Sequence, residues 1–221
     1  MFVEIPREFL AGIATDSDRI PTLYYSRYWP VRRFFWMRLK LIYSLMRRAS
    51  ARNACCLDFG GGGGVFLPTL SGYFKKVVCI DLENDEAHKV VAQYQLSNVQ
   101  LVREDIASAN LADAPFDAIV AADVLEHFQD LSFPVNALRK WLSLGGILYT
   151  SLPSENYIYV FLRKVFGITK PWDHYHTAGE VESYLAQHGF KQIRKTFVPF
   201  YWGILPLFHV SAWQLDGGAD K

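Results

Sequence analysis

One acidic residue and five consecutive glycines stand together near residue 60 of the 221-residue chain. Asp58 follows the apolar run 54–57, and Gly60 to Gly64 follow Phe59. Glycine adopts positive φ without steric cost and lets the backbone approach a ligand, and a helix after such a turn presents free N–H groups. The stretch therefore predicts a strand, a turn and a helix that bind a nucleotide-like molecule.

Two glycine spacings compete for this turn. The dinucleotide-binding pattern Gly-x-Gly-x-x-Gly or Ala, started at Gly60, places Val65 where a small residue is needed. The pattern acidic-x-Gly-x-Gly-x-Gly fits without a mismatch, on Asp58, Gly60, Gly62 and Gly64. A carboxylate there would repel a pyrophosphate but suits a ligand with a sulfonium and an amino group. On these residues the chain resembles the class I S-adenosylmethionine-dependent methyltransferases.

Further residues follow in the order that this family uses, over roughly residues 53 to 195. The resemblance implies that Asp81, at the end of a second strand, accepts bonds from the ribose hydroxyls of S-adenosylmethionine. The cofactor-binding set that it implies comprises Asp58, Gly60, Gly62, Gly64, Asp81, Leu82, Asp105, Ile106, Ala122 and Asp123. Gly61 and Gly63 replace residues that are often larger in the family, which we expect to loosen the loop.

Three histidines are candidate general bases for methyl transfer to a hydroxyl group. His127 lies a few residues beyond the predicted fourth strand, and the ordinary imidazole pKa of about 6.5 suits proton removal. His174 and His176 lie on the loop before a capping box that starts at Thr177. The alternatives are packing and helix capping for His127, and local hydrogen bonding for the two loop histidines.

A metal site is the weaker interpretation of the same region. Asp123, Glu126 and His127 are similar to residues with which some ubiquinone-pathway O-methyltransferases hold a divalent metal. Two carboxylates and one histidine need further ligands, and the sequence does not place them. We therefore assign no metal ligands, and the sequence does not indicate whether a metal is used.

The resemblance implies an α/β fold, a three-layer Rossmann-like sandwich with a mainly parallel seven-stranded sheet and an antiparallel last strand. The predicted final hairpin pairs Gln192 to Val198 with Leu207 to Gln214. We divide the chain into a basic aromatic helical cap at residues 1–52, a methyltransferase domain at 53–215 and a loose tail at 216–221. The aromatic-rich insert from Ser154 to Gly167 follows strand five and should wall the acceptor pocket.

The composition is that of a folded protein, with 51% hydrophobic and 20% charged residues. Cys55, Cys56 and Cys79 all lie in predicted central strands, which indicates buried free thiols in a reducing compartment. The first residues lack the basic and then apolar layout of a signal peptide. We predict a cytoplasmic protein, with membrane association left open.

Charge is segregated although the net charge is only +1. Nine basic and no acidic residues lie between Arg19 and Arg52, in a segment with a predicted helix from Val31 to Ala49. A helix that caps the cofactor cleft, a membrane-surface helix and a nucleic-acid-binding helix all fit this pattern. We disfavour nucleic acid, because the chain is nearly neutral and lacks the Asn/Asp-Pro-Pro-aromatic motif of nucleic-acid amino methyltransferases.

A second apolar region, Thr196 to Leu215, has no charge except at His209. Its length could span a bilayer, but Pro199 and Pro206 interrupt it. We interpret it as the hairpin above, with the connection from Phe200 to Pro206 serving a partner, a lipid, an apolar acceptor or only the core.

These observations predict O-methylation of a small, apolar or lipid-linked acceptor by S-adenosylmethionine. Methylation of a nitrogen or carbon atom of the acceptor is the less favoured reaction of the same enzyme class. A binding or assembly module that keeps the fold without turnover is the alternative, and a nicotinamide oxidoreductase is third. The sequence does not indicate the oligomeric state.

Overall fold

The computed structural model describes residues 1–14, 19–49, 54–106, 108–154, 174–199 and 206–216. Continuous apolar runs form the centre of its sheet, because strands covered on both faces need apolar side chains on both sides. The strands are β1 (Cys55–Phe59), β2 (Lys76–Asp81), β3 (Val99–Arg103), β4 (Phe116–Ala122), β5 (Leu142–Pro153), β6 (Phe190–Val198) and β7 (Phe208–Leu215).

The sheet has the strand order β3-β2-β1-β4-β5-β7-β6. The first five strands are parallel, and β7 runs antiparallel between β5 and β6. The predicted fold class is confirmed, and the predicted final hairpin differs from β6 and β7 by at most two residues at each end. The carboxyl ends of β1, β2 and β4 meet at one edge, where ligands bind in such sheets.

Helices cover both faces of the sheet and make the two outer layers. They are α1 (Arg7–Ile13), α2 (Trp29–Arg48), α3 (Leu67–Ser71), α4 (Asp85–Tyr94), α5 (Ser132–Trp141) and α6 (Ala178–Gln187). Buried residues of α1 to α4 share one hydrophobic cluster with the sheet, and those of α5 and α6 share the other. The capping box predicted at Thr177 is present at the start of α6.

The basic segment forms α2 and packs across β5, β6 and β7. Its apolar side chains, among them Trp36, Leu39 and Ile42, are buried in the first cluster. The helix starts two residues before the predicted position and has Pro30 in its first turn. Within the ranges given above, no helix combines the length and apolarity needed to cross a membrane.

Three predicted segments lie outside the described residues for all or most of their length. They are the insert after Ser154, the apolar connection at 200–205 and the tail at 217–221.

Candidate functional site

The glycine loop after β1 has the conformation that only glycine adopts easily. Gly60, Gly62 and Gly64 have φ of 69°, 52° and 74°, and they are the three glycines of the acidic pattern. The loop is held at its start, because the Gly60 N–H donates to the carbonyl oxygen of Ile80 at 2.9 Å. It leads into α3 at Leu67.

The two intervening glycines are tightly packed, so the expectation that they loosen the loop is wrong. A Cβ at Gly61 would lie 2.5 Å from the Cys79 Sγ and 2.7 Å from the Asp58 Oδ2. A Cβ at Gly63 would lie 2.2 Å from the Ile20 Cγ1. Larger residues are excluded because the N-terminal segment and the Asp58 carboxylate press against this loop.

Asp58 lies on β1 beneath the loop and is 4% exposed. Burial, and then the negative charge of Asp81, raise its pKa to about 7. Its Oδ2 has no hydrogen-bond partner among the described residues. A buried carboxylate with an unpaired oxygen beside a backbone cradle fits a cationic ligand, because a cation would compensate the ionised form.

Asp81 ends β2 and faces the same loop. Its Oδ2 accepts a hydrogen bond from the Gly62 N–H at 2.8 Å. Its Oδ1 forms an ion pair with the Arg19 Nη1 at 3.2 Å. The Gly63 N–H also donates to the carbonyl oxygen of Arg19 at 2.9 Å. Residues 19 and 20 therefore lie across the loop, and the Arg19 side chain occupies one oxygen of the Asp81 carboxylate.

The predicted adenine residues follow β3. Asp105 is exposed, and its carbonyl oxygen starts a turn by accepting from the N–H groups of Ser108 and Ala109. Ile106 is buried in the second hydrophobic cluster, whereas Leu82, after β2, is 54% exposed. All three residues follow the carboxyl ends of β2 and β3, which are neighbouring parallel strands in which Asp81 lies opposite Arg103.

The exit of β4 carries the second ion pair of the site. Asp123, after Ala122, has φ of 54°, and its N–H donates to the carbonyl oxygen of Ser151 at 2.9 Å. Its carboxylate pairs with Arg38 of α2 and accepts from the Ser151 hydroxyl. Arg38 is 2% exposed and also donates to the Tyr24 hydroxyl at 2.7 Å. The sequence did not single out these arginines, and its only signal was a basic run without local acidic partners.

The structure brings two of the three candidate histidines together. The rings of His127 and His174 meet edge to face, with centroids 4.7 Å apart. The loop bearing His174 is fixed because the Tyr175 N–H donates to the Glu126 carbonyl oxygen at 2.9 Å. The His176 Nε2 instead lies 3.3 Å from the carbonyl oxygen of Gln129.

The same region contains three side chains of metal-ligating type. One ligand atom from each of Glu126, His127 and His174 lies within 4.8 Å of the others, and Glu126 is buried. Asp123, which the sequence grouped with Glu126 and His127, is engaged by Arg38 instead. The geometry thus changes the candidate set by exchanging a carboxylate for an imidazole.

Residues 57–150 match the family model for a methyltransferase domain. A probable S-adenosylmethionine-dependent methyltransferase of Mycobacterium tuberculosis is 26% identical over 81% of this chain and 61% of its own length. A ubiquinone biosynthesis O-methyltransferase of Xylella fastidiosa is 32% identical over 48% of this chain and 45% of its own. The chain therefore spans about half to three fifths of the length of these curated relatives.

Solved structures show the same fold. The N-methyltransferase NodS of Bradyrhizobium japonicum, in complex with S-adenosyl-L-homocysteine, superposes with a TM-score of 0.67 at 17% identity, over 95% of this chain and 97% of NodS. The magnesium protoporphyrin IX methyltransferase of Synechocystis PCC 6803, also with bound S-adenosyl-L-homocysteine, superposes with a TM-score of 0.69 at 16% identity. The superposition covers 96% of this chain and 98% of the methyltransferase. At these identities the likeness shows the fold alone.

Proposed function

We propose that this chain is a class I S-adenosylmethionine-dependent methyltransferase that methylates a hydroxyl oxygen of a small apolar acceptor. One observation carries the proposal: the buried Asp58 carboxylate, whose Oδ2 has no hydrogen-bond partner among the described residues, lies beneath three left-handed glycines. A sulfonium cofactor would supply an electrophilic methyl group and a positive charge that compensates this carboxylate. Asp58, the glycine loop and Asp81 would hold it, with Asp105 and Ile106 beside its adenine.

His127 is the proposed general base, with His174 as its neighbour. The base would take the acceptor's hydroxyl proton as the acceptor oxygen bonds to the methyl carbon. S-adenosylmethionine, when bound, would supply that methyl group and leave as the neutral thioether S-adenosylhomocysteine, with the electron pair of the carbon–sulfur bond on sulfur. Because such a displacement needs alignment, the hydrogen bond that fixes the His174 loop would contribute as well as the base.

The acceptor of the proposed reaction is apolar, phenol-like or lipid-linked. This part of the proposal is supported by the relative from Xylella fastidiosa, which is named for O-methylation in ubiquinone biosynthesis.

Calorimetric titration with S-adenosylmethionine, S-adenosylhomocysteine and NAD tests the cofactor. We expect both adenosyl ligands to bind and NAD not to bind. Asp81→Ala should abolish binding, whereas Asp85→Ala, a matched change at an exposed carboxylate on α4, should leave it unchanged. Binding of NAD alone would refute the proposal, and binding of no ligand would favour a module that keeps only the fold.

Turnover with quinol, phenol and lipid-linked phenol acceptors tests the base. His127→Ala and His174→Ala should lower kcat by roughly 100-fold or more, while the affinity for S-adenosylhomocysteine stays unchanged. His176→Ala is the matched control for turnover, because the His176 Nε2 lies 3.3 Å from the Gln129 carbonyl oxygen and not in the His127–His174 pair. Equal losses of turnover and product binding would count against a base. Loss of activity with a chelator, restored by Mg²⁺, would instead assign a metal to Glu126, His127 and His174.

A further inference from the structure

A groove of about 830 Å³ runs between α2 and the edge strand β6. β6 is four strand positions away from β1 in the sheet, a lateral distance of roughly 19 Å. The groove is therefore separate from the glycine loop, and its function does not depend on the proposed methyl transfer.

The groove has a net positive charge. None of the described residues that line it is acidic. Arg33 and Arg48 of α2 and Arg194 of β6 have no carboxylate partner in the part of the chain that the structure describes. Two lysines that also border the groove are neutralised, Lys40 by Glu4 at 2.8 Å and Lys195 by Glu182. Three arginines thus face a cavity that suits an anion.

The floor of the groove is aliphatic, formed by Met37, Leu41 and Leu45. Residues 29, 33, 37, 41, 44 and 48 of α2 follow one another at helical spacing and lie on one side of the helix. Trp29 begins this line and is 64% exposed. An exposed tryptophan, an aliphatic strip and unpaired arginines along about 28 Å of one helix match the interface of a bilayer, where aromatic rings sit at the head-group level.

We propose that this groove docks the protein on an anionic bilayer by binding the head group and the first part of an acyl chain of one acidic phospholipid. The three arginines take the phosphate, and the aliphatic strip takes the chain. A nucleic acid fits less well, because the lining residues within the described part of the chain include no aromatic side chain for base stacking. The docking does not use Arg32, whose guanidinium donates to the Ser26 carbonyl oxygen at 2.6 Å.

Flotation with vesicles of phosphatidylcholine, alone or mixed with phosphatidylglycerol, tests the proposal. We expect the full chain to float only with the mixed vesicles, and less at high salt. The double variant Arg48→Gln/Arg194→Gln should lower the partition coefficient roughly 25-fold, at about fivefold per cation removed. Arg139→Gln, at an exposed arginine of α5 on the opposite face of the sheet, should leave it unchanged.

Trp29→Ala separates the apolar contribution from the charge. It should weaken flotation with mixed vesicles to a similar degree at low and high salt, because it removes no charge. Equal flotation with both vesicle types, or wild-type flotation of the double variant, would overturn the proposal. Binding of single-stranded DNA with the same loss in the double variant would also overturn it. Binding of monomeric short-chain phosphatidylglycerol without any flotation would assign the groove to a soluble amphiphile instead of a membrane.

Discussion

The buried carboxyl group of Asp58 makes the affinity for S-adenosylmethionine depend on pH. Burial, assisted by the charge of Asp81, raises the pKa of this group to about 7. Only the ionised form attracts a sulfonium, and the Oδ2 has no competing partner among the described residues. We therefore predict that the cofactor binds more tightly as the pH rises through 7.

The size of this effect follows from the pKa. With a pKa of about 7, roughly one tenth of the Asp58 carboxyl groups are ionised at pH 6 and roughly nine tenths at pH 8. If binding requires the carboxylate, the Kd falls roughly tenfold between these two values, which is about 1.4 kcal/mol.

Calorimetry at pH 6, 7 and 8 measures this change, and Asp58→Asn is the control. The amide keeps the shape of the side chain but does not titrate, so the ratio of the wild-type and variant Kd values removes the titration of the cofactor's own groups. Wild-type binding should also release protons at pH 6, seen as a dependence of the heat on the buffer. Parallel pH profiles for wild type and variant would refute the reasoning.

The same raised pKa predicts how the stability of the ligand-free protein changes with pH. A carboxyl group whose pKa is raised on folding stabilises the protein below its unfolded pKa, and this stabilisation is lost as the pH rises through the folded value. Relative to Asp58→Asn, the free energy of unfolding should fall by roughly 2 to 3 kcal/mol between pH 5 and pH 8. Urea unfolding at the two pH values measures it, and an opposite sign would contradict the burial of Asp58.

Further substitutions test the contacts around the loop and the cap, with one glycine of α6 as a control. Arg19→Ala should tighten binding of S-adenosylhomocysteine by up to about fivefold, because it frees the carboxylate of Asp81; unchanged or weaker binding in calorimetry would show that the ion pair does not compete with the ligand. Gly63→Ala should destabilise the protein by about 1 to 3 kcal/mol in urea unfolding because its Cβ would meet a buried side chain. Gly179→Ala, in helix α6 with no heavy atom near its Cβ, should instead stabilise it by about 0.5 to 1 kcal/mol. Arg38→Met should lower the free energy of unfolding by about 3 kcal/mol in urea unfolding, because it removes the ion-pair partner of Asp123. The double variant Arg38→Met/Asp123→Asn should recover most of that loss.

The parts of the fold that local pattern determines were predictable from the sequence. The acidic glycine pattern selected the three loop glycines that have positive φ, because no other residue adopts that backbone as easily. The apolar runs predicted β1, β2 and β4, and the uncharged region after Thr196 predicted the antiparallel hairpin. These signals are contained in a few neighbouring residues, so they do not depend on the rest of the chain.

The ion pairs of the site were not predictable, because they join residues far apart in sequence. Arg19 meets Asp81, and Arg38 meets Asp123, across 62 and 85 positions. The sequence showed nine basic residues without local partners but could not say which of them turn inward. Gly63 was misjudged for the same reason, since the side chain that excludes a Cβ there comes from Ile20.

The basic segment therefore divides its charges between two separate sites. Arg19 and Arg38 neutralise carboxylates at the edge of the sheet, whereas Arg33 and Arg48 face the groove beside β6. The groove beside β6 and the glycine loop after β1 are four strand positions apart in the sheet, so the two sets should act independently. Neutralising the groove arginines should lower vesicle flotation without changing the affinity for S-adenosylhomocysteine, and Arg19→Ala should do the reverse. A variant of either set that altered both measurements would mean that one conformational change of the cap links the groove to the cofactor site.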